Sequence, residues 1–388
     1  MSTGAAIAGA GMTSFGRHRE RSLKDLAGEA IDQALADAGI GRDEVDMAFV
    51  ANSMASIVTG QVSVVGQTIL REHGFSEIPV YNVDNACASS SSALNLAVQS
   101  IRSGAARTVL VVGAEKLYAA EREKSYIALN GAADIDFVAE SGIDPATESV
   151  FVAAVYPERL RAYTDVHPLA AETLAAIAVK NRANAALNPF AQYTKPLTVE
   201  EVLGSRMIVD PVTALMCAPI GDGASAAVVT AGGGERDVPL LASAVGMGAP
   251  AGNGSSIRRV ASRAYAEAGL GPADVDVAEV HDSIAFNELL AYEELGFCEP
   301  GGGSALVDEG ATALGGRLPV NPSGGLESRG HPVAATGLAQ IVELVAQLRG
   351  EAGERQVDGA RVALAENAGG FAGGDTAAVA VTILGGPR

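Results

Sequence analysis

Basic residues are scarce in this chain. Lysine and arginine number 27 against 46 aspartates and glutamates, a formal charge of −19. A phosphate backbone demands a basic surface, so a nucleic-acid partner is not expected. A small anion held in a local positive pocket stays open. Cysteine is scarce too. Cys87, Cys217 and Cys298 are odd in number, far apart and free of CxxC spacing. That argues against a disulfide framework or a zinc site, and for a reducing, cytoplasmic setting. Tryptophan is missing altogether. No uninterrupted apolar run reaches the roughly 18 residues that a membrane span requires. The opening MSTGAAIAGAGMTSFG lacks the charged and apolar regions of a secretory leader. The closing LGGPR carries no lipidation or peroxisomal signal.

What is abundant is alanine and glycine, the latter 46 of 388 residues, enough chain for two full cores. Strand and helix patterns alternate. AAIAGAGM reads as a buried strand, and SLKDLAGEAIDQALADAG has helical spacing and stops at Gly39. VDMAFVAN is a strand, the Cys87 segment a helix, and RTVLVVGAE a strand again. This alternation predicts an α/β fold with a mainly parallel sheet. The pattern then repeats. LADAGIGRDEVDMAFVANS (35–53) and YAEAGLGPADVDVAEVHDS (265–283) agree at nine of nineteen positions. ASAVGMGAP (242–250) echoes AGAGMTSFG (8–16), and GDTAAVAVTIL (374–384) echoes GDGASAAVVTA (221–231). Three echoes in one order predict two similar halves, 1–235 and 236–388, related by a pseudo-twofold. A long insertion at about 116–215 reads as a substrate-covering region.

The repeat has a chemical consequence. The GHP turn of SRGHPVAATGLAQ in the second half is the counterpart of the Cys87 turn in NVDNACASSSSALNLA. A twofold would bring both helix N-termini, and with them Cys87 and His331, to one place. Unpaired N–H groups and the dipole at a helix start favour a thiolate and can hold an oxyanion. A free cysteine on an Ala-rich helix can equally be a small core residue, so the residues alone leave Cys87 open between the two. His331 reads either as a capping or loop histidine or as a base within reach of Cys87. His281 ends a buried strand, as a hydrogen-bond donor to a carbonyl oxygen or as a satisfied core residue. His18, His73 and His167 read as surface or loop residues, Cys217 and Cys298 as structural. Asp222 and Asp375, equivalent in the repeat, read as turn residues. In ENAGGFAGGD (366–375) a backbone N–H could complete an oxyanion hole with that of Cys87.

Over its whole length the chain resembles the thiolase superfamily. NACASSSSAL, GDGASAAVV, GHPVAATG and the Gly-rich turn before the last strand carry the likeness. EVHDSIAFNELLAYEELGFC and KNRANAALNPFAQY are similar to the sterol-carrier-protein-x (SCP-x) type. The resemblance implies a five-layered αβαβα thiolase fold of two βαβαβαββ halves with an inserted loop region, usually dimeric or a dimer of dimers. It implies Claisen or retro-Claisen chemistry on acyl-CoA, with coenzyme A thioester as substrate and no permanently bound cofactor or metal. Cys87 would take the acyl group and His331 would be the base. The Cys87 and Gly369 N–H groups would form one oxyanion hole, and His281 with His331 would hold the second substrate's thioester oxygen. The second catalytic cysteine is missing from both places where thiolases carry it: Asn367 and Ser283 stand there. The alternatives for its work are His281 or His331 with Ser283 as relay, or an acceptor that is already nucleophilic, such as a phenol ring. Acyltransferases of aromatic-product pathways look like this, carry HDS and work beside a small zinc-ribbon/OB-fold (DUF35-type) partner. A CoA-linked side-chain retro-aldolase is the alternative activity.

Overall fold

Local signals start the first half. Strand β1 (Ala5–Met12) leads to helix α1 (Leu23–Ala38), which begins in a capping box between Ser22 and Asp25 and ends at Gly39 in the left-handed region. Strand β2 (Met47–Ala51), helix α2 (Val65–Glu72), strand β3 (Val80–Val83), helix α3 (Ser89–Arg102) and strand β4 (Thr108–Glu115) follow. So α2 and β3 stand between the VDMAFV strand and the Cys87 helix, which the sequence reading had joined directly. An insertion containing α4 (Tyr156–Thr164) and α5 (Ala171–Ala186) precedes β5 (Gly223–Thr230). The second half runs β6 (Val238–Met247), α6 (Ser256–Ala268), β7 (Val277–Glu279), α7 (Ala285–Glu294), α8 (Thr336–Arg349), β8 (Val362–Ala372) and β9 (Asp375–Gly385). This computed structural model describes residues 3–249 and 254–387. Pro250, the last residue of the opening-strand echo, lies outside them.

These nine strands form one sheet in the order β3-β2-β4-β5-β1-β6-β9-β8-β7, and the short strands Met207–Val209 and Val212–Thr213 pair apart from it. The expected mainly parallel sheet is corrected here: β2/β3, β2/β4 and β7/β8 are parallel, and the other five pairings are antiparallel. The strands joined by helical crossovers do share a direction. The closing strand of each half is inserted reversed, and the halves join antiparallel through β1 and β6.

The layers follow from where apolar faces are buried. α1 and α2 pack on one face of the first half-sheet, and α6 and α7 on the outer face of the second. Between the half-sheets α3 and α8 share one core, giving the αβαβα order. The repeat extends to single hydrogen bonds. Asp46 accepts the Arg107 and Thr108 N–H groups, and Asp276 accepts those of Arg361 and Val362. One element departs: the counterpart of β3 is a single bridge from Val320 to Ala278.

The central helices approach closely because their contact residues are small. A Cβ on Gly337 of α8 would run into the Ser91 hydroxyl and stand 2.9 Å from the Ser91 backbone nitrogen. Each helix has 14 residues and follows a 3-10 turn, Ala86–Ala88 or Val333–Ala335. Those two turns define the site.

Candidate active site

Cys87 sits in the first turn, shaped by its polar neighbours. The Asp84 carboxylate accepts the Ala86 N–H at 3.0 Å, and Ala86 itself is held at φ +49°. A non-glycine residue there stores strain, which the surroundings must hold in place. The four serines each make a separate bond. Ser89 Oγ donates to Ala86 O at 2.6 Å, and Ser90 Oγ accepts the Leu338 N–H at 3.1 Å. Ser91 Oγ donates to Asn367 Oδ1 at 3.3 Å, and Ser92 Oγ accepts from Asn85 Nδ2 at 2.8 Å.

His331 is delivered from behind. The HDS segment is extended, so its residues alternate: His281 and Ser283 line the cavity, while Asp282 points back and accepts the Leu326 N–H at 2.7 Å. Arg329, fully buried, pairs with Glu279 at 3.1 Å. These bonds anchor residues 325–330 and so place the GHP turn. His331 Nδ1 lies 2.7 Å from Thr336 Oγ1, whose proton goes to Pro332 O at 3.1 Å. Thr336 therefore accepts from Nδ1, leaving the Nε2 lone pair free to act as base. His281 is set the other way: Asn367 Nδ2 donates to its Nδ1 at 3.2 Å, so Nε2 carries the proton and is a donor.

The twofold brings these groups together. Cys87, His281 and His331 place one ligand-type atom each within 4.8 Å of one another, and the imidazoles meet edge to face at 5.2 Å. Among the described residues this is the one Cys/His/Asp/Glu group close enough to hold a metal ion. Both histidines are buried and Cys87 is half-buried, and burial dominates the protonation of the site. It pushes the Cys87 thiol up to about 12, the nearby Glu115 carboxylate adding to the rise and the Gly370 N–H opposing it. It pulls His281 down to about 3 and His331 well below 6.5. The helix start, expected to favour a thiolate, is thus outweighed by desolvation, and the resting pair is thiol and neutral imidazole.

The turns match, but the residues are offset. Aligning α3 with α8 sets Cys87 opposite Ala334 and His331 opposite Asp84. The expected oxyanion donor Gly369 lies between two wall residues of the cavity. Residues 368 and 370 line the cavity, whereas a Cβ on Gly369 would stand 2.6 Å from Ala88 N, against the Cys87 turn. Gly370, at φ +66°, turns its N–H to the Cys87 sulfur.

A cavity of about 250 Å³ opens over the sulfur, walled mostly by apolar groups such as Leu129, Phe151, Val155 and Phe371. Sequence reasoning missed Glu115, Tyr126, Tyr156, Arg159 and Asn287, because nothing in their local spacing marks them. Cys217, read as structural, forms part of the wall while its thiol donates to Thr213 O at 3.5 Å. Ser283 Oγ accepts from Asn287 Nδ2 at 2.8 Å and lies 3.1 Å from the Tyr156 hydroxyl. Beside this cavity is a wider vestibule of about 730 Å³ carrying Arg17, Arg122, Arg182 and Arg206. Tyr126 and the stretch from Cys217 to Ile220 are common to both. It is a local positive pocket on an acidic protein.

Comparison with known proteins identifies the family. The family model described as "Thiolase, N-terminal domain" matches residues 5–232, and "Thiolase C-terminal domain-like" matches 249–384. An acetyl-CoA acetyltransferase of Methanothermobacter thermautotrophicus is 37% identical over 96% of this chain and 98% of its own. Sterol carrier protein 2 of Rattus norvegicus is 37% identical over 94% of this chain and 69% of its own. The solved Ltp2-ChsH2(DUF35) aldolase has a TM-score of 0.81 at 26% identity, covering 100% of this chain and 99% of that one.

Proposed function

This chain belongs to the thiolase family and is an acyl-CoA C-acyltransferase of the SCP-x type, and from that premise we propose that Cys87 carries the acyl group with His331 as its base. The observation that carries the reading is the convergence of Cys87, His281 and His331 within 4.8 Å. In the proposed cycle His331 Nε2 takes the thiol proton as the sulfur attacks an acyl carbonyl. The N–H groups of Cys87 and Gly369 stabilise the oxyanion, and the His281 Nε2–H with His331 holds the enolate oxygen of the second thioester. Because the resting pair is neutral, the thiolate forms only as a thioester arrives. No resident cofactor enters these steps.

The vestibule fits coenzyme A. Its four arginines would face the phosphates, and the shared wall at Tyr126 and Cys217 to Ile220 would pass the pantetheine arm to Cys87. The insertion, about 116–215, then covers the acyl group, between halves we take as 1–235 and 236–388. β3 is an uncovered edge strand with Tyr81 half exposed, close in sequence to exposed Val62 and Val64. That edge supports a homodimer. The likeness to the Ltp2-ChsH2(DUF35) aldolase supports a small DUF35-type partner. Three free cysteines support a cytoplasmic setting. Among the described residues no helix is long and apolar enough to cross a membrane.

Intact-mass spectrometry after incubation with acyl-CoA tests the central claim. One acyl group per wild-type chain and none on Cys87→Ala is expected; full acylation of Cys87→Ala refutes it. The aldolase likeness gives a second reading, a CoA-linked lyase. Cleavage of a 3-hydroxyacyl-CoA by Cys87→Ala would establish that one instead.

A further inference from the structure

The acyl-enzyme reading leaves one proton without a carrier. When the C–C bond breaks, the departing enolate must be protonated at carbon, and the thiol that thiolases use is replaced by Asn367 and Ser283. Asn367 is committed to Ser91 and His281. Ser283 is a weak acid, but its oxygen lies 3.1 Å from the Tyr156 hydroxyl.

Tyr156 is placed in the cavity by an unusual piece of backbone. Residues Phe151–Val155 form a π-helical turn that runs straight into α4, where Tyr156 is the first residue. Such wide turns recur at functional sites, because they change which side chains share a face. Here Phe151, Val152, Val155 and Tyr156 all line the cavity that holds Cys87 and His281. Burial raises the phenol to about 12, and the Ser283 hydrogen bond opposes that rise. Ser283 accepts a hydrogen bond from Asn287, so its own proton is free to point at the phenol oxygen.

We propose that Tyr156 is the acid/base residue that exchanges the α-proton, with Ser283 as the positioning residue that supports its phenolate. In the cleavage direction His331 first takes the Cys87 proton, and the sulfur attacks the 3-oxo carbon. The C–C bond breaks, its electron pair becomes the thioester enolate, and Tyr156 gives its proton to the α-carbon. The acetyl-type thioester leaves. The incoming coenzyme A thiol returns a proton to the Tyr156 phenolate, and the resulting thiolate attacks the acyl-enzyme. Cys87 departs as thiolate and recovers its proton from His331. One 3-oxoacyl-CoA and one CoA become two acyl-CoAs, with both protons restored. Condensation is the same path reversed.

The proposal rests on the Cys87 reading, and its test keeps the two apart. Wild type, Tyr156→Phe, Ser283→Ala and Cys217→Ser are incubated with acetyl-CoA in D2O. Acylation of Cys87 is read by intact mass, and deuterium in the acetyl methyl by mass spectrometry of the thioester. Tyr156→Phe is expected to slow exchange by about 10²–10⁴-fold, the usual contribution of a positioned acid/base. Its acylation should stay near the wild-type rate. Ser283→Ala should lose about tenfold in exchange, as for one hydrogen bond to a charged group. Cys217→Ser should keep the wild-type ratio of exchange to acylation. Exchange at the wild-type rate in Tyr156→Phe overturns the proposal. So does a selective loss of exchange relative to acylation in Cys217→Ser, a parallel fall of acylation and exchange in Tyr156→Phe, or an acylated wild type that exchanges nothing. A wild type that never acylates refutes the Cys87 reading itself.

Discussion

Alkylation of Cys87 gives a direct test of the resting protonation state. Enclosure moves the thiol from 9.0 to about 12. Each pH unit is tenfold in thiolate, so at pH 8 the site holds about a thousandfold less thiolate than a free cysteine. A more basic thiolate is a better nucleophile, with a slope of about 0.4–0.5 per pKa unit. That returns somewhat more than one decade. The net expectation is alkylation by iodoacetamide roughly thirty- to sixtyfold slower than for the same cysteine in the denatured chain. The pH profile is more telling than the rate. His331, itself held well below 6.5, offers no imidazolium to pair with a thiolate. The logarithm of the rate should therefore climb by one per pH unit from pH 7 to 10 without levelling. Peptide mass mapping separates Cys87 from Cys217 and Cys298. A plateau below pH 8 would mean that a thiolate–imidazolium pair already exists in the free enzyme, and the desolvation argument would be wrong.

Other expectations follow from single contacts. Asn367→Ala removes the donor to His281 Nδ1, frees the proton to move there and costs the Nε2–H donor. Condensation or thiolysis should fall by about 10²-fold with Cys87 acylation kept, read by kcat beside intact mass. Glu366 is raised from 4.5 to about 7 by burial, and its Oε1 has no partner. Between those values the folded chain holds a proton that the unfolded chain releases, so this group lowers stability as pH rises through the window. The melting temperature of Glu366→Gln should gain on wild type from pH 4.5 to 7.5; a constant gap would contradict this. Gly337→Ala should lose about 1–3 kcal/mol in denaturant unfolding, because the new methyl meets Ser91 across the central helix pair. Arg122→Ala and Arg206→Ala should raise KM for CoA thioesters and leave pantetheine thioesters unaffected, if the vestibule holds the phosphates.

Much of this architecture can be read in the chain. The capping box at Ser22, the left-handed Gly39 and the Asp46/Asp276 pair are local or repeated signals. The repeat placed two helix starts together without knowledge of any contact. The parallel sheet was misjudged because βα alternation reports the crossover strands and not where a closing strand inserts. The thiolate expectation took the helix dipole alone, and burial is a property of the whole fold. Tyr156 was invisible for a related reason. It reaches the cavity through an irregular turn in an insertion that has no counterpart in the repeat.

The shared core of α3 and α8 also limits how the chain can be divided. A chain cut between β5 and β6 would expose the inner face of each half, so neither fragment should hold its shape alone, and the pair should recover activity only when mixed. The covalent link matters for a different reason. On the axis of a dimer of identical half-length chains, every group would appear twice, and a nucleophile would face its own copy. Joining two unequal halves lets one turn specialise in sulfur and the other in nitrogen, so an axis of symmetry can hold a polarised pair.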